Sequence, residues 1–130
     1  MPVTGIGHVA FRVSDMDRSV KFYTEVLGLK VIHKIPTPNG DIVFVGTEDR
    51  QSLELFCGGE DKLEITDKTT GYIHVCIIVE DLKALAAHVE SMGIPFYKEP
   101  SYGEELSVFR LLDPDGNELE ILERGPDLPF

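Results

Sequence analysis

Gly5-Ile6-Gly7-His8-Val9-Ala10-Phe11-Arg12-Val13 decides the fold, because Tyr72-Ile73-His74-Val75-Cys76-Ile77-Ile78-Val79 answers it 66 positions later. In the first stretch Val9, Phe11 and Val13 alternate with His8, Ala10 and Arg12. Successive side chains of a strand point to opposite faces, so the first set is placed to pack on a helix and the second to face a groove. In the second stretch His74, Cys76 and Ile78 take the groove side. The same offset superimposes Asp15 on Asp81, Asp49 on Asp115, and Leu53-Glu54 on Leu119-Glu120. Gly28 meets Gly93 at an offset of 65, which implies one residue lost after the first helix and regained before the end. Two copies are too few for a solenoid, so the pattern reads as a fused pair of half-domains.

The order of elements inside each copy agrees. Asp15 is placed as the N-cap of a helix over Met16 to Leu27, with Val20, Tyr23, Val26 and Leu27 as its apolar stripe and Gly28 as its terminator. Asp81 opens the matching helix, Leu82 to Met92, with Leu85, Ala86 and Val89 inward and Gly93 closing it. Three short strands follow each helix: Lys30–Ile35, Asp41–Gly46 and Gln51–Phe56, then Pro95–Lys98, Ser107–Leu112 and Glu118–Leu122. Pro38-Asn39-Gly40 and Asp113-Pro114-Asp115-Gly116 supply turns. The expectation is an α+β fold of two tandem βαβββ modules, about 4–57 and 71–123, forming a single domain over 1–130.

Composition narrows the function classes. A chain of 130 residues with 42% apolar content holds enough core for one ordinary domain. Its net charge of −11, with no basic stretch to offset it, argues against nucleic acid and anionic membrane as partners. No apolar run is long enough to span a bilayer, and Met1-Pro2-Val3 does not open a signal peptide. Cys57 and Cys76, at no metal-motif spacing, read as reduced thiols of a cytoplasmic protein.

The duplication also repeats a pair of chemically capable residues. Glu54 follows His8 by 46 positions, and Glu120 follows His74 by 46. Strand parity sets Ser52, Glu54 and Phe56 on one face, and Glu118, Glu120 and Leu122 on another. Two imidazoles and two carboxylates related by a pseudo-twofold suit a borderline divalent ion. His33 and His88 have no symmetric counterpart and are read as ordinary histidines.

These motifs carry a family resemblance. The βαβββ duplication, His8-Val9-Ala10-Phe11-Arg12-Val13-Ser14-Asp15, Phe22-Tyr23-Thr24-Glu25-Val26-Leu27-Gly28-Leu29, and Asp113-Pro114-Asp115-Gly116-Asn117-Glu118-Leu119-Glu120 resemble the vicinal oxygen chelate superfamily, from Thr4 to Glu123. Within it the chain is most similar to glyoxalase I, the lactoylglutathione lyases. The resemblance implies a curved sheet around a metal cavity, with His8, Glu54, His74 and Glu120 as ligands of a divalent ion. Nickel or zinc is favoured, and cobalt, manganese or iron is compatible. It implies conversion of a 2-oxoaldehyde–thiol hemithioacetal to a 2-hydroxyacyl thioester, a step of methylglyoxal detoxification. Glu120 would be the base, with Glu54 the runner-up, and Arg12 would pair with a carboxylate of the thiol. A homodimer is expected, with the ligands drawn from one subunit or from two.

Sister activities on the same fold remain alternatives: an epimerase of the methylmalonyl-CoA type, a non-catalytic small-molecule-binding protein of the resistance type, or an extradiol dioxygenase. The chain also departs from the glutathione-using pattern. The loop Pro100-Ser101-Tyr102-Gly103-Glu104-Glu105 carries two acids where basic residues are usual, and these repel an anionic tripeptide unless Lys98 or Arg110 compensates.

Overall fold

Two aspartates set the frame of the molecule. The side chain of Asp15 accepts from the backbone N–H of Arg18 at 3.0 Å, and that of Asp81 accepts from the N–H of Ala84 at 3.0 Å. Each satisfies one of the donors that a helix start leaves without an intrahelical partner. The computed structural model describes residues 2–62 and 64–130. It divides into two compact units, Met1–Lys62 and Leu63–Phe130.

The first unit contains β1 (His8–Arg12), α1 (Met16–Lys21), β2 (Lys30–Ile35), β3 (Ile42–Gly46) and β4 (Ser52–Phe56). Its sheet runs β1-β4-β3-β2, with β1 parallel to β4 and the other pairs antiparallel. The second unit contains β5 (Val75–Ile78), α2 (Leu82–Ser91), β6 (Lys98–Ser101), β7 (Leu106–Leu112) and β8 (Glu118–Arg124). Its sheet runs β5-β8-β7-β6, and β5 is parallel to β8. Each unit is therefore one βαβββ module.

Alternation along the strands supplies each core. Val43, Val45, Leu53 and Leu55 are buried in the first unit, as are Phe22, Tyr23 and Val26. Phe109, Leu111, Leu119 and Ile121 join Leu82, Ala86 and Val89 in the second. Leu85, expected inward, is only partly covered. Burying this apolar surface is the dominant favourable term in folding. With one face of each sheet committed to the core, the other face is left to present polar groups.

The first helix departs from expectation in an instructive way. Only Met16–Lys21 is α-helical; Phe22–Val26 continues as a π-wound turn. Asp15 and Gly28 stand one residue further apart than Asp81 and Gly93, and the π turn absorbs that residue. The surplus thus lies inside the first helix, not after it. Leu29 N–H reaches the carbonyl of Tyr23, six residues back, whereas Ile94 N–H reaches that of Val89, five back. The hydroxyl of Thr24 donates to the Val20 carbonyl at 2.8 Å within the widened turn. Gly28 and Gly93 both end their helices in the left-handed region, at φ 73° and 71°.

The strand boundaries also shift. The sixth strand lies at Lys98–Ser101, not Pro95–Lys98. It is an edge strand with a register irregularity between Lys98 and Ser101, and an edge tolerates Pro100, which has no N–H to donate. β5 starts at Val75, so His74 precedes the strand instead of lying within it.

Candidate active site

The parallel pairing of β1 with β4 aligns His8 with Ser52 and Ala10 with Glu54. His8 and Glu54 are thus diagonal neighbours on one face, with small residues in the other two positions. Their side chains approach to 3.4 Å between Nε2 and Oε1. The carboxylate of Glu54 is largely covered, with 13% of its side chain exposed. In the second unit Cys76 aligns with Glu120. The Nε2 of His74 lies 3.6 Å from Oε2 of Glu120, whose side chain is 17% exposed. The structure therefore brings the four predicted ligands together two by two, one His–Glu pair in each unit. Among the described residues, no group of three or more histidine, cysteine, aspartate or glutamate side chains is placed to hold a metal ion.

Each pair fits a share of a metal site. Two ligand atoms at about 2.1 Å from one ion and a tetrahedral angle apart lie about 3.4 Å from each other. The observed separations of 3.4 and 3.6 Å match that spacing. The second ring nitrogen of His74, Nδ1, is buried with no hydrogen-bond partner among the described residues. The carboxylate of Glu118 stands 3.8 Å from it. A metal-ligating histidine usually gives its other N–H to such a carboxylate, which fixes the tautomer and the ring plane. Sequence parity places Glu118 on the face of Glu120, but only the structure shows it beside the far side of the imidazole.

Arg110 was legible only as a nearby cation, and the structure gives it a definite place. Its Nη1 donates to Oε2 of Glu118 and its Nη2 to Oε2 of Glu120, both at 3.1 Å. It comes from β7, directly across from Glu120. Glu120 also faces the thiol of Cys76. Desolvation, followed by the charge of Glu120 and a hydrogen bond to it, pushes that thiol up to about 11. Tyr72 ties the approach to β5 down, donating to the Glu118 carbonyl at 2.7 Å and accepting from Val75 N–H at 3.1 Å. Partial burial, opposed by the Val75 bond and aided by Asp113 and Glu118, pushes its phenol up to about 12.

Arg12, the predicted substrate-binding residue, closes β1. Its Nη1 donates to the Cys57 carbonyl at 2.7 Å, and its guanidinium lies 5.5 Å from the centre of the Phe56 ring. It lines a cavity of about 280 Å³ in the first unit, together with Thr37, Asn39, Ile42, Phe56 and Cys57. The backbone bond and the ring contact hold the guanidinium in place against that cavity.

The family model of the Glyoxalase/Bleomycin resistance protein/Dioxygenase superfamily matches residues 5–121. The chain belongs to that superfamily. It is 38% identical over 127 residues to a probable chloroplastic lactoylglutathione lyase of Arabidopsis thaliana, an alignment covering 92% of this chain and 35% of the relative. It is 35% identical over 124 residues to the lactoylglutathione lyase of Haemophilus influenzae, covering 89% of this chain and 90% of that one. The trypanothione-dependent glyoxalase I of Leishmania major superimposes with a TM-score of 0.76 at 34% identity, covering 93% of this chain and 87% of the other. The chain spans between 35% and 49% of the length of the plant and fission-yeast lyases it matches. The expected fold family is therefore met, and the chain is similar to lactoylglutathione lyases. Among the described residues no helix is long and apolar enough to cross a membrane.

Proposed function

We propose that this chain is a metal-dependent, glyoxalase I-like lyase that converts a 2-oxoaldehyde–thiol hemithioacetal to a 2-hydroxyacyl thioester. The observation that carries the reading is the duplicated His–Glu pair, at 3.4 and 3.6 Å at repeat-related positions of a chain similar to lactoylglutathione lyases. His8, Glu54, His74 and Glu120 are the proposed ligands of one divalent ion, within one chain or across a homodimer. With both imidazoles in the neutral, ligating form, the first pair carries one negative charge. In the second unit Arg110 offsets one of the two carboxylates, so that group also carries one. The sum balances a dication. Nickel or zinc suits the nitrogen and oxygen donors, as do cobalt, manganese and iron. Such an ion, when bound, supplies Lewis acidity toward two adjacent substrate oxygens.

The protein's own groups do the rest. His8 and His74 serve as fixed ligands, the latter with the Glu118 carboxylate 3.8 Å from its second ring nitrogen. A glutamate takes the proton from the carbon that bears the sulfur and returns it to the neighbouring carbon; the family resemblance favours Glu120, with Glu54, its counterpart in the repeat, the runner-up. The largely covered carboxylates keep the proton from escaping to bulk water. Arg12 at its cavity is proposed to take a carboxylate of the thiol portion.

The thiol itself is less constrained. Glu104 and Glu105 are exposed, and Arg110, already bonded to two carboxylates, is not available to offset them. A thiol less anionic than glutathione fits this loop better, and the Leishmania relative uses trypanothione. A cytosolic role in methylglyoxal detoxification accords with two free cysteines. The test is turnover of methylglyoxal hemithioacetals of several thiols by stripped protein resupplied with nickel or zinc. Metal-restored thioester formation supports the reading; no turnover with any thiol at saturating metal refutes it.

A further inference from the structure

Arg12 is a cation without a carboxylate in a chain of net charge −11. Among the described residues it makes no ion pair, and of the five donors an arginine carries, the Cys57 carbonyl takes one. Its surroundings on the sheet are apolar. Arg12 stands across from Phe56, and Ile35 stands across from Ile42. Phe44, two residues after Ile42, is opposite Glu54, so Ile42, Phe44, Glu54 and Phe56 share the groove face. At the repeat-related positions of the second unit stand Ile78, Leu122 and Val108, so the duplication does not account for the guanidinium.

The polar groups of the cavity beside Arg12 are engaged with one another. The Thr37 hydroxyl donates to the Gly40 carbonyl and accepts from the Asn39 N–H at 3.2 Å. The Cys57 thiol donates to the Asn39 carbonyl at 3.1 Å. The side-chain amide of Asn39 is neutral. Among the described residues no acidic side chain lines the cavity; Asp41, although it follows Gly40, lies outside the lining. Glu54, two residues before Phe56 on the same face, is paired with His8 at 3.4 Å.

A ligand seated there meets one positive charge and no negative one. A carboxylate on an apolar body suits both features: the remaining guanidinium donors receive its oxygens, and its carbon chain covers Phe56 and Ile42. An ammonium on the carbon beside that carboxylate, as in a γ-glutamyl group, finds no counter-charge and lies next to a guanidinium of its own sign. We propose that this cavity selects, as the thiol portion of the substrate, an apolar carboxylic acid with no amino group beside its carboxylate, and that Phe56 and Ile42 set this specificity. The proposal rests on the thiol-adduct reading above. Arg12 lies about 7 Å along β1 from Ala10, the residue opposite Glu54, which fits an apolar spacer of a few carbons between sulfur and carboxylate.

Two readouts test it on the full chain. The first is binding, by nuclear magnetic resonance titration of stripped protein with 4-(methylthio)butyrate and with methionine, which differ by one amino group. The butyrate should bind at least about tenfold more tightly. Arg12→Gln should abolish that difference, and Ile42→Glu, which supplies the missing carboxylate, should narrow it to within about twofold or reverse it. The second is kcat/KM at saturating nickel for methylglyoxal hemithioacetals of 4-mercaptobutyrate, deaminoglutathione and glutathione, at about 0.5 M salt so that the exposed Glu104 and Glu105 are screened. Glutathione should be the poorest by at least about tenfold. Equal binding of the two thioethers, no saturable binding of either, or a preference that survives Arg12→Gln overturns the proposal. Turnover of the glutathione adduct as fast as that of deaminoglutathione also overturns it and leaves the proposed function standing. A binding preference kept while no adduct turns over sinks the proposed reaction and upholds the selectivity of the cavity.

Discussion

Replacing Asp113 with alanine should cost this protein more stability than any substitution at an exposed acid. Asp113 is 4% exposed at the turn between β7 and β8. Its Oδ1 accepts from the N–H of Asp115 at 3.0 Å and from that of Asn117 at 2.8 Å, and its Oδ2 from the side-chain amide of Asn117 at 3.0 Å. The turn is further closed by Asn117 carbonyl accepting from Asp113 N–H and Asp113 carbonyl accepting from Gly116 N–H, which survive the substitution. A bond to a charged group is worth ~1.5–3 kcal/mol, but partly exposed donors recover water and the three losses are not additive. A total of about 3 kcal/mol results, which for a chain of this size lowers Tm by roughly 10 °C. Asp113→Asn keeps an oxygen for both backbone donors and should lose about 1 kcal/mol, the part due to charge. The chain has no tryptophan, so urea unfolding is best followed by circular dichroism. A loss below 0.5 kcal/mol for the alanine variant, the range of ordinary surface changes, would show that the turn is held by its backbone alone.

Two further predictions concern charge. A folded-state phenol raised from 10 to about 12 means that Tyr72 favours folding while protonated. Its contribution to stability is therefore complete below pH 10 and is lost as pH climbs toward 12. Subtracting the ultraviolet titration of Tyr72→Phe from that of the wild type should isolate a midpoint near 12; a midpoint at 10 would remove the burial argument. At the loop after β6, Glu104→Gln with Glu105→Gln should lower KM for the glutathione adduct about twofold at low salt and hardly at all at high salt, since both charges are exposed and screened. An unchanged KM at low salt would place the thiol elsewhere.

The elements that the sequence made legible are those where one local signal had no competitor. Asp15 and Asp81 are N-caps followed by helical apolar spacing, and Gly28 and Gly93 are the only conformationally cheap enders of those helices. Leu53-Glu54 and Leu119-Glu120 alternate between core and groove, so parity alone put each carboxylate on the correct face. The π turn was hidden because Phe22, Tyr23 and Val26 satisfy helical spacing whether or not the turn widens. Its trace was the single-residue mismatch between the copies, which places a surplus but not its location. β6 was misplaced because Pro100 reads as a strand breaker until the strand is known to lie on an edge. The fork of Arg110 was hidden for a different reason: its two carboxylates are 8 and 10 residues away, and only the β7–β8 register determines which of them it meets. The opposite number of that arginine is Phe44, so the repeat itself gave no hint of it.

The central claim is that the two His–Glu pairs serve one divalent ion, and metal stoichiometry tests it most directly. Stripped protein should take up one nickel or zinc ion per chain by elemental analysis after gel filtration. His8→Ala and His74→Ala should each lose it, though the two residues lie in different units. An ion retained in full by either variant, or no ion taken up by the wild type, would contradict the account.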